Sequence, residues 1–307
     1  MSEVMRAAAF AEPGGPDVLK VMELPAPQAG PGEVRVRVRA AGVQPFDAAV
    51  RAGWLPPYLG EIGFPRIPGN EFAGVVDQVG AGVTGVAAGD EVLGFSRLFA
   101  YAEYIVVAGT DVVAKPAGVP WEVAGGLTAG VQTAELAIDG LGVADGETLL
   151  VHGAAGSVGT AAVQIARRRG ATVIGTAREV NHDYLRDLGA VPVAYGDGLA
   201  DRVRALAPGG VDAALDGAGG HALEVSIELV KGRGRIVTLV EHAKADGLGV
   251  QVVRGERTAE RLGRYAALYA EGRFAFPIRR AYGLAEAADA HREIETGHGQ
   301  GKIVLTI

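Results

Sequence analysis

Two hydrophobic rhythms divide this chain of 307 residues. Up to about residue 115 the apolar positions come in short runs of period two. Val34-Arg35-Val36-Arg37-Val38-Arg39 alternates strictly, one face apolar and one charged, as a half-buried strand does. Gly74-Val75-Val76-Asp77-Gln78-Val79-Gly80 reads as a second strand with a turn behind it. Pro and Gly interrupt often, as in Pro13-Gly14-Gly15-Pro16 and Gly30-Pro31-Gly32. Short strands with frequent turns predict a small β-rich, barrel-like domain.

From about Trp121 the rhythm changes. Strands predicted at 148–152, 172–176, 191–195, 212–216 and 234–240 alternate with helices at 157–169, 181–188, 199–206 and 221–230. A strand at 250–254 and a helix at about 258–271 follow. This alternation predicts a parallel sheet with helices on both faces, an α/β doubly wound arrangement. The final run, Lys302-Ile303-Val304-Leu305-Thr306-Ile307, is a strand with no place in the repeat, so it is expected to return to the first domain. The expected division is therefore a discontinuous β-rich domain, 1–120 with 272–307, and an inserted α/β domain, 121–271. No internal repeat is visible.

One stretch carries chemistry. The apolar run Leu149-Leu150-Val151-His152 ends in Gly153-Ala154-Ala155-Gly156, and a helix-period segment opens with Ser157-Val158-Gly159. Strand, glycine turn and helix in that order make a dinucleotide-binding geometry. Ala154 stands at the first glycine of the usual fingerprint, followed by Gly156 and Gly159. The turn lets backbone approach a pyrophosphate, and the helix N-terminus offers it unpaired N–H groups. After the next strand, Thr172–Thr176, an NAD-specific chain places Asp or Glu for the ribose hydroxyls. Here Thr176, Ala177 and Arg178 follow one another, with Glu179 beyond. A missing acid and a nearby guanidinium, which pairs bidentately with phosphate, favour NADPH.

Charge and composition exclude several classes. Lys and Arg total 29 against 36 Asp and Glu, a net charge of −7, which argues against nucleic acid as a partner. There are no cysteines, hence no disulfide and no thiolate-held metal. Met1–Arg6 has no apolar leader core, and no uncharged apolar stretch is long enough to span a bilayer, so a cytoplasmic protein is expected. The six histidines do not cluster, and no nucleophile elbow appears, so hydrolase chemistry is not supported. His152 reads as a core residue.

Further segments bring a family into view. They are Ala41-Gly42-Val43-Gln44-Pro45-Phe46-Asp47, Pro68-Gly69-Asn70-Glu71-Phe72-Ala73-Gly74, Gly89-Asp90-Glu91-Val92, Leu127-Thr128-Ala129, Asp187-Leu188-Gly189-Ala190 and Gly301-Lys302-Ile303-Val304-Leu305. With the glycine turn, in this order and spacing, the chain resembles the zinc-free, quinone oxidoreductase-like branch of the medium-chain dehydrogenase/reductase superfamily over nearly its whole length. The resemblance implies a GroES-like catalytic domain interrupted by a Rossmann domain, with the active site in the cleft between them. The zinc-dependent branch carries Cys where Gln44 stands and His where Asn70 stands. Neutral amides are poor zinc ligands, and Glu71 alone would not hold the ion, so no metal is expected.

What remains is hydride transfer from a nicotinamide to an acceptor polarised by conjugation, a quinone or an α,β-unsaturated carbonyl. Such a site needs donors at the developing oxyanion. Gln44, Asn70 and, by analogy, Thr128 are the candidates, with Trp54 and Tyr58 in a Gly/Pro-rich loop as a roof for the substrate. On the cofactor side the family pattern adds Tyr195 after the third strand and Lys302 as a phosphate partner. Gly217, after the fourth strand, lets the chain pass close to the cofactor, and Leu239 and Val240 flank the nicotinamide. A non-catalytic, crystallin-like NADPH-binding protein and an enoyl-thioester reductase are the alternatives. The relatives also imply a homodimer, and the apolar run Leu248-Gly249-Val250-Gln251-Val252-Val253 is the expected edge strand.

Overall fold

A computed structural model describes residues 3–307; Met1 and Ser2, part of the segment read above for a leader, lie outside the described residues. The chain forms two compact units. One runs through Ala129 and takes in Arg257–His298 and Lys302–Ile307. The other is Gly130–Glu256 with Gly299–Gly301. The boundaries differ from those expected. The first falls inside the helix Trp121–Leu141 rather than at 121, and the helix Ala259–Ala270 belongs to the first unit rather than the second. The reason is packing: Gly263 lies flat against Val113, where an added Cβ would meet Val113 Cγ2 at 3.0 Å.

The spine of the first unit is the long strand Glu33–Val43. Glu71–Val79 runs antiparallel along it, followed outward by Glu91–Phe95 and Val112–Ala114. Tyr104–Ala108 pairs with its first half. The C-terminal strand Lys302–Thr306 pairs with its last four residues, Ile303 opposite Val43, and carries Ile278–Gly283 on its far side. The expected return of the C-terminal strand to this sheet is therefore what forms. The alternation of 34–39 holds with one exception, since Arg35 is buried beside its apolar neighbours. Asp77 at 2.6 Å and Glu3 at 2.7 Å neutralise its guanidinium, which lies 4.6 Å from the Tyr104 ring.

The second unit is a six-stranded, all-parallel sheet. The strands Thr148–His152, Thr172–Ala177 and Val191–Ala194 step outward one way, and Ala213–Asp216, Ile236–Thr238 and Gln251–Val252 step outward the other way. The direction reverses beside the first strand, which is the switch point at which open α/β sheets bind ligands. The expected run 248–253 is strand only at Gln251–Val252, because Leu248 ends a helix, His242–Leu248, and Gly249 caps it in the left-handed conformation. Among the described residues no helix is long and apolar enough to cross a membrane.

Candidate active site

In the second unit the glycine turn is built as the motif requires. Gly153 adopts φ +69°, and Gly156 caps the helix Ser157–Arg168 with extended backbone. Gly159 admits no side chain, since a Cβ there would overlap the Gly153 carbonyl and the Ala154 backbone. That close approach lets the helix start directly beneath the turn, and the first N–H groups of a helix have no partner within it. Ala154 and Ala155 are buried, Ser157 and Val158 half-buried, and Gly301 N–H donates to Ala155 O at 2.8 Å.

Thr176 lies under this turn. It is buried, accepts from Gly153 N–H at 3.3 Å and stands 3.4 Å from His152 Nδ1, so it positions the turn from below. His152 reaches Ser226 Oγ at 3.0 Å. Burial, the dominant effect, pushes its imidazole down to about 4 although Asp216 pulls the other way. A neutral, satisfied ring is a core residue, as expected.

Beyond the second strand Arg178 is exposed, and its Nε donates to Tyr195 Oη at 3.1 Å. The two residues singled out separately thus form one pair, with the guanidinium's terminal nitrogens left outside it. Asp216, fully buried, ties the next two turns together. Its carboxylate accepts from Ala218 and Gly219 N–H at 3.0 and 2.7 Å and from Thr238 Oγ1 at 2.8 Å. Thr238 Oγ1 in turn accepts from Val240 N–H at 3.2 Å, and Leu239 N–H donates to Asp216 O at 2.8 Å. The loops bearing Gly217, Leu239 and Val240 are therefore held as one piece.

In the first unit the antiparallel pairing gathers residues far apart in sequence. Gln44 follows Val43 at the end of the spine strand, and Lys302 and Glu71 open the two strands flanking that end. Lys302 Nζ stands 2.5 Å from Glu71 Oε1, both side chains sealed from solvent. This is a charge contact rather than an aligned hydrogen bond. Lys302 Nζ also donates to Gln44 Oε1 at 3.1 Å, and Glu71 Oε2 accepts from Ala129 N–H at 2.6 Å. Gly42 makes room for the Glu71 carboxylate, which a Cβ there would overlap. Gln44 Nε2 donates to Asn70 Oδ1. Arg257 Nη1 donates to Asn70 O at 3.2 Å and to Oδ1 at 3.3 Å. Burial lowers the Arg257 guanidinium from its ordinary value, and the negative charge of Glu71 opposes that most strongly.

Three expectations change here. Lys302 is engaged inside this unit with Glu71 and Gln44 rather than presented as the expected phosphate partner. Thr128 gives its only proton to Gly94 O at 3.1 Å, so it is not placed as an oxyanion donor. Gln44 has one amide proton directed at Asn70. Arg257 was missed altogether. Its loop carries no motif, and Thr258, whose hydroxyl accepts from Arg261 N–H at 3.2 Å, signals only the start of the next helix.

Asp47 supports the network from behind. It is fully buried and accepts from Gln44 N–H at 3.1 Å, Gly69 N–H at 3.2 Å and Tyr101 Oη at 3.0 Å. Burial pushes its carboxyl up to about 7, against the pull of Lys302 and of the Tyr101 and Gln44 donors. Trp54 and Tyr58 are both exposed; Trp54 packs edge-on against Phe46 at 5.8 Å, and Arg97 holds the Tyr58 carbonyl at 3.1 Å. Among the described residues no three His, Cys, Asp or Glu side chains come together as a metal site.

Comparison with known proteins agrees with this construction. The alcohol dehydrogenase GroES-like domain family matches residues 30–127, and the zinc-binding dehydrogenase family matches residues 188–305. The chain is 34% identical to a quinone oxidoreductase of Pseudomonas aeruginosa over 96% of its own length and 98% of that protein's. It is 36% identical to the synaptic vesicle membrane protein VAT-1 homolog of Rattus norvegicus over 73% of its own length, and spans only 56% of that relative. The quinone oxidoreductase from Coxiella burnetii superposes with a TM-score of 0.90 at 29% identity, covering 99% of this chain and 100% of the other. A β-rich unit of the GroES-like type, a parallel sheet with a dinucleotide turn and these likenesses place the chain in the medium-chain dehydrogenase/reductase superfamily, in its quinone oxidoreductase-like branch.

Proposed function

We propose that this protein is an NADPH-dependent, zinc-independent reductase of quinones or α,β-unsaturated carbonyls. The observation that carries the reading is the position of Lys302 Nζ between Glu71 and Gln44. Where the zinc-dependent branch gathers ligands around a cation, this chain supplies a cation of its own. An ammonium that already neutralises Glu71 leaves two amides, which bind zinc poorly. Alcohol oxidation by a metal Lewis acid is then not the chemistry these residues suit.

A bound nicotinamide would supply the hydride. The residues of the second unit fit such a cofactor: the turn Ala154–Gly159 for the pyrophosphate, and the pair Arg178 and Tyr195 for a 2′-phosphate. The first unit's task is to stabilise negative charge on the acceptor oxygen as hydride arrives, through amide and guanidinium N–H groups. The exposed rings of Trp54 and Tyr58 suit a planar, conjugated acceptor. The strand Gln251–Val252 lies at the open edge of its sheet, which supports a homodimer joined edge to edge.

The test is cofactor oxidation with a panel of quinones and enones, using NADPH and NADH in parallel, for the wild type and Arg178→Ala. Turnover with NADPH is expected, and Arg178→Ala should weaken NADPH far more than NADH. Equal losses for the two cofactors would overturn the NADPH assignment. Tight binding without turnover of any acceptor would favour a non-catalytic binding protein.

A further inference from the structure

The network in the first unit has a direction, and that direction assigns roles the sequence does not show. A lysine ammonium and an arginine guanidinium donate hydrogen bonds and accept none. Lys302 Nζ at 3.1 Å therefore requires the oxygen of the Gln44 amide on its side. Arg257 Nη1 at 3.3 Å likewise requires the oxygen of the Asn70 amide. The Gln44 nitrogen must then face away from Lys302, and it meets Asn70 Oδ1. Both amides are polarised the same way: carboxylate, ammonium, amide, amide. Asn70 Nδ2 is left at the end. It donates to no group among the described residues and is not a sealed-off orphan, although Asn70 as a whole is only 6% exposed.

Resting on the functional reading above, we infer that Lys302 and Arg257 are positioning residues that lock the Gln44 and Asn70 amides in one orientation, making Asn70 Nδ2 the donor to the acceptor's developing oxyanion. Without the two cations each amide could flip, and an amide oxygen presented to an oxyanion repels it. The aligned dipoles also sharpen the last N–H as a donor, because hydrogen bonds in a chain polarise one another. Glu71 holds Lys302 in place; the Ala129 N–H bond at 2.6 Å and the absence of a side chain at Gly42 hold Glu71. No proton needs to leave the network. Hydride and its electron pair pass to the acceptor, and the resulting anion takes its proton from solvent.

The test reads orientation and turnover separately. In ¹⁵N-labelled protein the side-chain amide resonances of Gln44 and Asn70 are followed in the wild type, in Lys302→Arg and in the charge-neutral pair Lys302→Met with Glu71→Gln. The hydrogen-bonded Gln44 amide proton should stand downfield in the wild type and Lys302→Arg and collapse toward the free value in the neutral pair. Should the neutral pair not fold, Arg257→Met, which leaves the ion pair intact, is expected to move the Gln44 resonance in the same way, because an Asn70 amide free to flip withdraws the oxygen to which Gln44 Nε2 donates. In turnover with a quinone, Asn70→Asp should lose about 10²–10³ in kcat, the typical cost of one oxyanion donor, while the KM for NADPH stays within about twofold. The neutral pair should lose about tenfold or more in kcat, and Lys302→Arg should recover most of it. Unmoved resonances in the neutral pair would overturn the orienting role. Full kcat in Asn70→Asp would overturn the donor assignment. A wild type that binds NADPH but reduces neither quinone nor enone would overturn the functional reading, and the donor assignment with it, while the resonances would still decide the orientation.

Discussion

Replacing Glu71 by Gln tests the buried ion pair where it is least forgiving. The side chains of Lys302 and Glu71 are 2% and 0% exposed, so solvent screens neither. Glutamine keeps the shape but cannot serve both neighbours. Its oxygen can face Ala129 N–H, now 2.6 Å from Glu71 Oε2, and then its NH₂ opposes the Lys302 ammonium. Turned over, the amide satisfies Lys302 and sets its NH₂ against Ala129 N–H. At least one donor is left buried and unpaired either way, at about 1–3 kcal/mol. The uncompensated charge brings the whole loss to about 3–5 kcal/mol. At about 2–4 °C per kcal/mol for a domain of 150–250 residues, the first unit's transition should fall by roughly 6–20 °C. Scanning calorimetry measures it. Lys302→Met in the same chain should return most of the loss, because the ammonium that needed an anion is gone. A single variant within about 2 °C of the wild type, or a double variant no more stable than Glu71→Gln, would refute the argument.

Three further outcomes follow from other parts of the structure. Gly159→Ala should raise the dissociation constant for NADPH by about tenfold or more in a fluorescence titration, since its Cβ overlaps rigid backbone and overpacking of this kind costs about 1–3 kcal/mol; unchanged affinity would count against this turn as the cradle. His152, held near 4 by burial, should show no imidazole titration by NMR above about pH 5. Its folded pKa lies below its unfolded value of 6.5, so the unfolded chain binds more protons, and its contribution to stability is present above pH 6.5 and lost as pH falls toward 4. A midpoint near 6.5 in the folded protein would contradict this. Light scattering at micromolar concentration should give a dimer, and substituting Pro for Val252 in the edge strand should weaken it; a wild-type monomer would end the edge-pairing proposal.

The second unit was legible wherever burial follows period. Helix 199–206 forms as Leu199–Leu206, and 157–169 as Ser157–Arg168, because each has an apolar stripe long enough to see. His242–Leu248 was not read as a helix for the opposite reason. Only Ala245 in it is buried, so it has no stripe, and its signal is the Gly249 cap rather than a pattern. The helix Pro45–Arg51 was missed as well, although Pro at its first position and Asp47 in its first turn were available as start signals. Arg35 broke the alternation of its strand because two acids from elsewhere, Glu3 and Asp77, made its burial tolerable.

The site divides along a physical line. The glycine turn is a local device, with its geometry written in consecutive residues, and it reads directly from the chain. The amide network is not local. Glu71, Lys302 and Gln44 meet only because two strands pair antiparallel with the same end of Glu33–Val43, and register decides which side chains share that end. From sequence, Gln44 and Asn70 stand out as residues replacing ligands, and Glu71 only as a carboxylate that would not hold the ion alone. The structure reverses that ranking. Glu71 is the anion around which the rest is arranged, and Lys302 neutralises it with a charge carried by the chain. Exchanging an ion for a lysine also changes what the neighbouring residues can do. A divalent cation offers open coordination positions to a substrate oxygen, whereas an ammonium spends its few donors on fixed acceptors and acts through what it orients. On the proposed reading, acceptor activation falls to neutral N–H groups at the end of the chain of bonds, which suits substrates whose conjugation carries negative charge onto oxygen as hydride arrives.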